Sequence, residues 1–145
     1  MYKKILLAYD GSTYGATAVR QSAELARLCQ AELHLLGIVV TTGFNALAEG
    51  FGADIWGMER ARLQPELEAT CAELKAQGVN AHCSIQEGDP AAEIIAYVRA
   101  TRPDLIVVGH SSKGVIARWL EGSVGITLLN NLPCSLLIVA SKSAA

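Results

Sequence analysis

Gly109, Ser112, Gly122 and Ser123 carry the clearest chemical signal in this chain, with Ser111, Lys113 and Arg118 set between them. Gly109 follows the uninterrupted apolar run Leu105-Ile106-Val107-Val108, and Gly122-Ser123 leads into a segment that reads as a short helix ending near Asn130. A strand, a small-residue loop and a helix N-terminus together present free backbone N–H groups, which is how a fold holds an anion such as phosphate. Lys113 and Arg118 are the only Lys or Arg in this stretch and so the candidates for polyphosphate contact, although each alone reads first as a solvated surface charge. Glu121, next to Gly122, would repel a phosphate if it faced the loop. Far back in the chain, Asp10 closes the run Lys4–Tyr9 and precedes Gly11-Ser12. It can accept from a ligand beyond the strand end, or simply cap a turn.

Other chemistry-bearing residues are less organised. His34, His82 and His110 fall on three different elements without ligand residues beside them, so no metal site is expected; His110 alone lies near the anion loop. The four cysteines, Cys29, Cys71, Cys83 and Cys134, show no C-x-x-C and no metal-ligand spacing, and read as reduced thiols.

The elements that must position these residues alternate regularly. Strands are expected over Lys4–Tyr9, Glu32–Val40, Asn80–Gln86, Leu105–Val108 and Cys134–Ala140. The third alternates and should be the least buried; in the last, Leu136–Val139 is apolar throughout, and burial is its simplest reading. Between the first two, Ala16, Val19, Ala23 and Ala26 recur at helical spacing, with Ser12 or Thr13 as N-cap. A long helix is expected from about Met58 to Gln77, stopped by Gly78; Pro65 inside it implies a kink or a later start. Asp89-Pro90 opens another helix, which runs to about Ala100 and is closed by Arg102-Pro103. The stretch from Thr41 to Gly57 is Gly-rich and irregular, with Phe44, Phe51 and Trp56 scattered through it. The resulting β-α-β order, with long crossovers, predicts a doubly wound α/β domain with a parallel sheet, spanning residues 1–145. In such sheets ligands bind beyond the carboxyl ends of the strands, where strand order reverses. If the first and fourth strands adjoin there, Asp10 and Gly109 flank one crevice.

Composition narrows the field. The chain has 145 residues, 51% of them hydrophobic and 18% charged, with a formal charge of −2, so no electrostatic footprint for nucleic acid exists. The apolar run after Met1-Tyr2-Lys3-Lys4 is broken at Asp10, too early for a signal peptide, and no run approaches the ~18 apolar residues of a membrane span. A cytoplasmic protein is expected.

The pattern Gly109, Ser112, Gly122, Ser123 resembles the signature of the universal stress protein family: Gly, two residues, Gly, nine residues, Gly, then Ser or Thr. KKILLAYDGS at the start and LPCSLLIVA at the end are similar to that family as well. The resemblance implies a five-stranded parallel sheet of order 3-2-1-4-5 with helices on both faces, and a homodimer built through the last strand, Cys134–Ala140. It also implies a site for an adenine nucleotide, ATP or AMP, with or without Mg2+. Carried onto this chain, that site takes Ala8, Tyr9 and Asp10 at the end of the first strand and Ile38 and Val39 at the end of the second. Val108, Gly109, Ser111, Ser112 and Lys113 follow from the fourth strand and its loop, and Gly122, Ser123 and Val124 from the helix start. Ser112 departs from the signature, where nucleotide-binding members carry Gly; a positive φ there would cost serine about 1 kcal/mol.

No residue stands out as a general base beside a phosphate, so hydrolysis, if any, should be slow. The expected function is a dimeric, nucleotide-responsive stress or signalling protein. Two alternatives stand beside it. One is an interaction protein with an empty, vestigial nucleotide site. The other is a flavodoxin-like FMN carrier, since Asp10 to Thr17 is similar to a flavodoxin phosphate loop, but GHSSKG lacks the aromatic wall a flavin needs. No Walker-type G-x-x-x-x-G-K-[ST] occurs.

Overall fold

Along the chain the elements are β1 (Lys4–Tyr9), α1 (Ala16–Cys29), β2 (Glu32–Val40), α2 (Ile55–Ala76), β3 (Asn80–Gly88), α3 (Pro90–Thr101), β4 (Leu105–His110) and β5 (Ser135–Ala140). They come from a computed structural model, which describes residues 1–9, 16–40, 55–110, 126 and 129–140. All five strands are parallel, in the order β3-β2-β1-β4-β5. Both the sheet order and its doubly wound character agree with the expectation. Residues 126 and 129–131 are helical, within and just past the short helix expected before β5.

The unbroken apolar runs of β1 and β4 occupy the centre of the sheet, where a strand is covered on both faces. Odd-numbered residues of β1, β2 and β4 (Ile5, Leu7, Leu33, Leu35, Leu105, Val107) pack under α1 and α2. Even-numbered ones (Leu6, Ala8, Leu36, Ile38, Ile106, Val108) pack against Ile94 and Val98 of α3. The buried stripe of α1 is made of small residues, Ala18, Ser22, Ala23 and Ala26, which lets its backbone lie close to the sheet.

The helices begin and end on identifiable local chemistry. Asp89 caps α3 by accepting from the Ala92 N–H at 3.0 Å, and Pro90 fills the first turn, where its missing N–H costs nothing. At the end of α2, Gly78 adopts φ +85°; its N–H reaches the Lys75 carbonyl, and the Val79 N–H the Leu74 carbonyl, each at 3.0 Å. Gln30 (φ 55°) and Arg102 (φ 51°) take the same left-handed turn after α1 and α3 without being glycine.

The structure departs from the sequence reading at several boundaries. α2 starts at Ile55, three residues before the expected Met58, and runs past Pro65 rather than starting near it. Pro65 is exposed, so the carbonyl it leaves without an intrahelical partner sits on the solvent face, where water can meet it. β3 continues to Gly88 because β2 keeps pairing beside it as far as Val40. β4 does not end at Val108: Gly109 and His110 remain in the strand, paired with Val139 and Ala140 of β5. Finally, β5 is not buried in the chain. It forms an edge of the sheet, and Leu137 and Ile138 are 37% and 48% exposed.

A candidate nucleotide crevice at the strand ends

The order of the sheet reverses between β1 and β4, since β2 and β3 continue to one side of β1 and β5 to the other. The two strands pair directly, Ile5 with Leu105 through Ala8 with Val108, so the adjacency that the crevice requires is present. The next step in that register sets Tyr9 alongside Gly109, and both are half-buried. β2 reaches further. Its register with β1 ends at Tyr9 opposite Gly37, so Ile38 and Val39 extend past the end of β1 as a step at one side. Ala8, Ile38, Val39 and Val108 are all buried. Ala8, Ile38 and Val108 form an apolar floor on the α3 face, and Val39 lies on the opposite face of the sheet.

Of the residues predicted for the site, the structure therefore brings together Ala8, Tyr9, Ile38, Val39, Val108 and Gly109 at one end of the sheet. Asp10, Ser111, Ser112, Lys113, Gly122, Ser123 and Val124 lie outside the described residues, as do Arg118 and Glu121. Beside the floor, Arg60 of α2 and Glu87 of β3 pair at 2.8 Å, with Glu87 next to Val39 in register. Both are about two-fifths exposed, so the pair adds little stability. A separate cavity of about 540 Å3 opens between α1 and α2, lined in part by Tyr9, Arg20, Arg27, Glu66 and Glu73. It lies on the sheet face away from α3 and mixes both signs of charge, so it is not the anion crevice.

A second cluster, which the sequence reading did not bring together, lies at the opposite end of the sheet. His34 and His82 are direct partners across the β2–β3 ladder, with rings stacked at 4.8 Å and 23°. Glu32, two residues before His34 on the same face, places Oε2 3.1 Å from His34 Nε2. Tyr97 of α3 places its hydroxyl 3.3 Å from His34 Nδ1. The Glu32 carboxyl is held below its usual range by the hydrogen bond from His34, with the His34, Lys4 and His82 charges adding to it and burial opposing. The histidines thus have the neighbours that linear spacing did not reveal. A signal was present: His34 and His82 are each the third residue of their strand, so any pairing in phase from the first residue puts them side by side.

Comparison with known proteins agrees with this architecture. The family model described as "Universal stress protein family" matches residues 1–140. The universal stress protein MJ0531 of Methanocaldococcus jannaschii is 31% identical over 140 residues, covering 96% of this chain and 82% of that protein. The universal stress protein YxiE of Bacillus subtilis is 31% identical over 147 residues, covering 96% and 99%. Among solved structures, universal stress protein UspA from Lactobacillus plantarum is similar with a TM-score of 0.77 at 22% identity, covering 95% and 97% of the two chains. A universal stress protein in complex with cAMP gives 0.70 at 21% identity, covering 97% and 98%. The universal stress protein from Archaeoglobus fulgidus in complex with dAMP gives 0.65 at 17%, covering 95% and 98%. On the strength of the model spanning nearly its whole length and of these relatives, the chain belongs to the universal stress protein family.

Proposed function

We propose that this protein binds an adenine nucleotide, ATP or AMP with or without Mg2+, in the crevice beyond β1 and β4. The observation that carries the reading is the direct pairing of β1 with β4 at the reversal of strand order, where doubly wound sheets take their ligands. The buried floor of Ala8, Ile38 and Val108 suits a flat base, and the backbone of Ile38 and Val39 at the end of β2 is set to meet its edge. Asp10 accepts from the ribose, while the loop after β4 (Ser111, Ser112, Lys113) and the start at Gly122-Ser123-Val124 hold phosphates through N–H groups. The cAMP and dAMP complexes of similar proteins support an adenine ligand over a flavin.

In this reading the protein is a cytoplasmic homodimer joined through β5, and occupancy of the crevice alters contacts with a protein partner. Leu137 and Ile138, exposed on a sheet edge that is unpaired among the described residues, support the dimer, because such an edge is a template for a second strand. The residues provide binding and orientation; no general base is assigned, and any hydrolysis is slow.

A second reading, a stress interaction protein with an empty site, is favoured by one observation, the serine at position 112. Mass spectrometry of the small molecule released from native purified protein separates the two. An adenine nucleotide at near one equivalent is expected, and Ser112→Gly should tighten its binding by up to about tenfold, the equivalent of ~1.4 kcal/mol. Protein that carries none and takes up none of an added fluorescent ATP or AMP would favour the empty-site reading.

A further inference from the structure

We infer that Glu32, His34 and His82 form a binding site for a late first-row divalent cation of the Zn2+ type, at the end of the sheet opposite the crevice. It rests on different residues from the nucleotide reading and stands or falls separately. The donor atoms of the three side chains all lie within 4.8 Å of one another.

The backbone explains why they converge. Residues two apart on a strand share a face about 6.6 Å apart, and paired residues of neighbouring strands sit about 4.8 Å apart. Glu32 and His34 are the first kind of pair and His34 and His82 the second, so the ligands form an L on one face of a rigid ladder. Metal sites built on sheet elements hold their geometry better than sites on loops. Around a tetrahedral Zn2+ with bonds of about 2.0–2.1 Å, neighbouring donor atoms are about 3.3 Å apart. Glu32 Oε2 and His34 Nε2 already stand at 3.1 Å. His82 is exposed, so its ring is free to turn and close the remaining gap.

The surroundings fit the same assignment. Tyr97 engages His34 Nδ1 and leaves Nε2 on the Glu32 side, the second-layer hydrogen bond that commonly fixes the tautomer of a metal-bound imidazole. Two imidazoles and one carboxylate suit Zn2+, Ni2+ or Cu2+ rather than Mg2+ or Ca2+, which take oxygen donors. Three protein ligands leave the fourth position to water, so the site is an exchangeable one. Lys4, opposite Glu32 in register, is the unfavourable neighbour; its ammonium is held by the Thr101 carbonyl at 2.8 Å. The crevice is distinct: Ile38 and Val39 lie about 13–16 Å further along β2 at ~3.3 Å per residue.

The test is titration of the full chain with Zn2+ against a chromophoric chelator, without nucleotide. One Zn2+ per chain is expected, weakened at least tenfold by His82→Ala and likewise by Glu32→Gln. Tyr97→Phe, a positioning change, should weaken Zn2+ about tenfold while leaving the metal-free Tm within a degree or two. Circular dichroism of each variant checks the fold, and Glu32→Gln serves if His82→Ala does not fold. Mg2+ should not compete. The proposal is overturned if no stoichiometric Zn2+ binds, or if the two variants bind it as tightly as the parent. It is also overturned if binding is lost instead in Cys71→Ser/Cys83→Ser, whose thiols meet between α2 and β3. Stoichiometry of one ion per two chains would equally contradict a site complete within one chain.

Discussion

Replacing Gly37 by alanine should destabilise the protein although alanine suits a strand better. Gly37 is in β2, opposite Tyr9 in the ladder with β1, and its φ is not positive, so the reason for glycine is space rather than backbone freedom. A Cβ there would stand 3.1 Å from Leu67 Cδ2, 3.3 Å from Leu63 Cδ2 and 3.7 Å from Ile85 Cγ1. Carbon atoms pack best at about 3.5–4.0 Å, so two of these contacts are short by several tenths of an ångström. Leu63 and Leu67 are themselves buried, at 2% and 1% exposure, and cannot swing away without pushing their own neighbours. Overpacking of this kind costs about 1–3 kcal/mol, and glycine's extra chain entropy returns about 0.5–1 kcal/mol of it. The net expectation is a loss of about 0.5–2 kcal/mol. It should appear in urea unfolding as a lower midpoint with an unchanged m-value. Leu67→Ala alone should cost about 2–5 kcal/mol, and the double variant less than the sum of the two, because the new methyl fills part of the space. A Gly37→Ala protein as stable as its parent, or strict additivity with Leu67→Ala, would refute the packing account of this position.

Other expectations follow from the same geometry. Gln30→Gly should raise stability by about 0.5–1 kcal/mol in thermal or urea unfolding, since left-handed strain (about 1–2 kcal/mol) outweighs glycine's entropy. Burial pushes the Cys71 thiol up, Cys83 beside it adding to this, and burial then Asp104 do the same for Cys134. Above the ordinary thiol range, about pH 8.5, the unfolded chain therefore loses its protons first. Stability should be flat with respect to these groups at neutral pH and fall as pH rises beyond that, read as a falling urea midpoint from pH 8 to 10. In native protein, exposed Cys83 should react with a thiol reagent well before buried Cys71. If β5 joins two copies as proposed, Ile138→Asp on the exposed edge strand should leave the fold intact and give a monomer in light scattering where the parent gives a dimer.

Much of this architecture was legible because the signal was local. The runs Lys4–Tyr9 and Glu32–Val40 are largely apolar strands, and both have the expected limits in the structure. Asp89-Pro90 and Gly78 act by chemistry confined to a turn, so the ends they mark fall where expected. What the sequence concealed was set by partners distant in the chain. Gly109 reads as a strand breaker, yet β5 supplies it with a partner at Val139 and keeps it in the ladder. The apolar run Leu136–Val139 of β5 reads as buried, but burial depends on sheet order, and position at the edge leaves Leu137 and Ile138 open. Asp104, which no sequence signal marks, accepts through its carboxylate from the Lys3 and Lys4 N–H groups at 2.9 and 3.2 Å, tying the start of β1 to β4. Likewise the meeting of His34 with His82 is a matter of register between strands separated by the whole of α2. For the crevice, the doubly wound order pointed to the ends of the first and fourth strands, at Asp10 and Gly109, whereas Ala8, Tyr9, Ile38, Val39 and Val108 came from the family resemblance; the structure sets these five and Gly109 at one end of the sheet.

The most direct measurement of the central claim is equilibrium dialysis of radiolabelled ATP and AMP against the native protein and an Asp10→Ala/Gly122→Val variant. Saturable binding near one nucleotide per chain, weakened at least tenfold in the variant, is the predicted result. Equal affinity in the two proteins would mean the nucleotide sits elsewhere, and no binding to either would contradict a nucleotide function for the crevice.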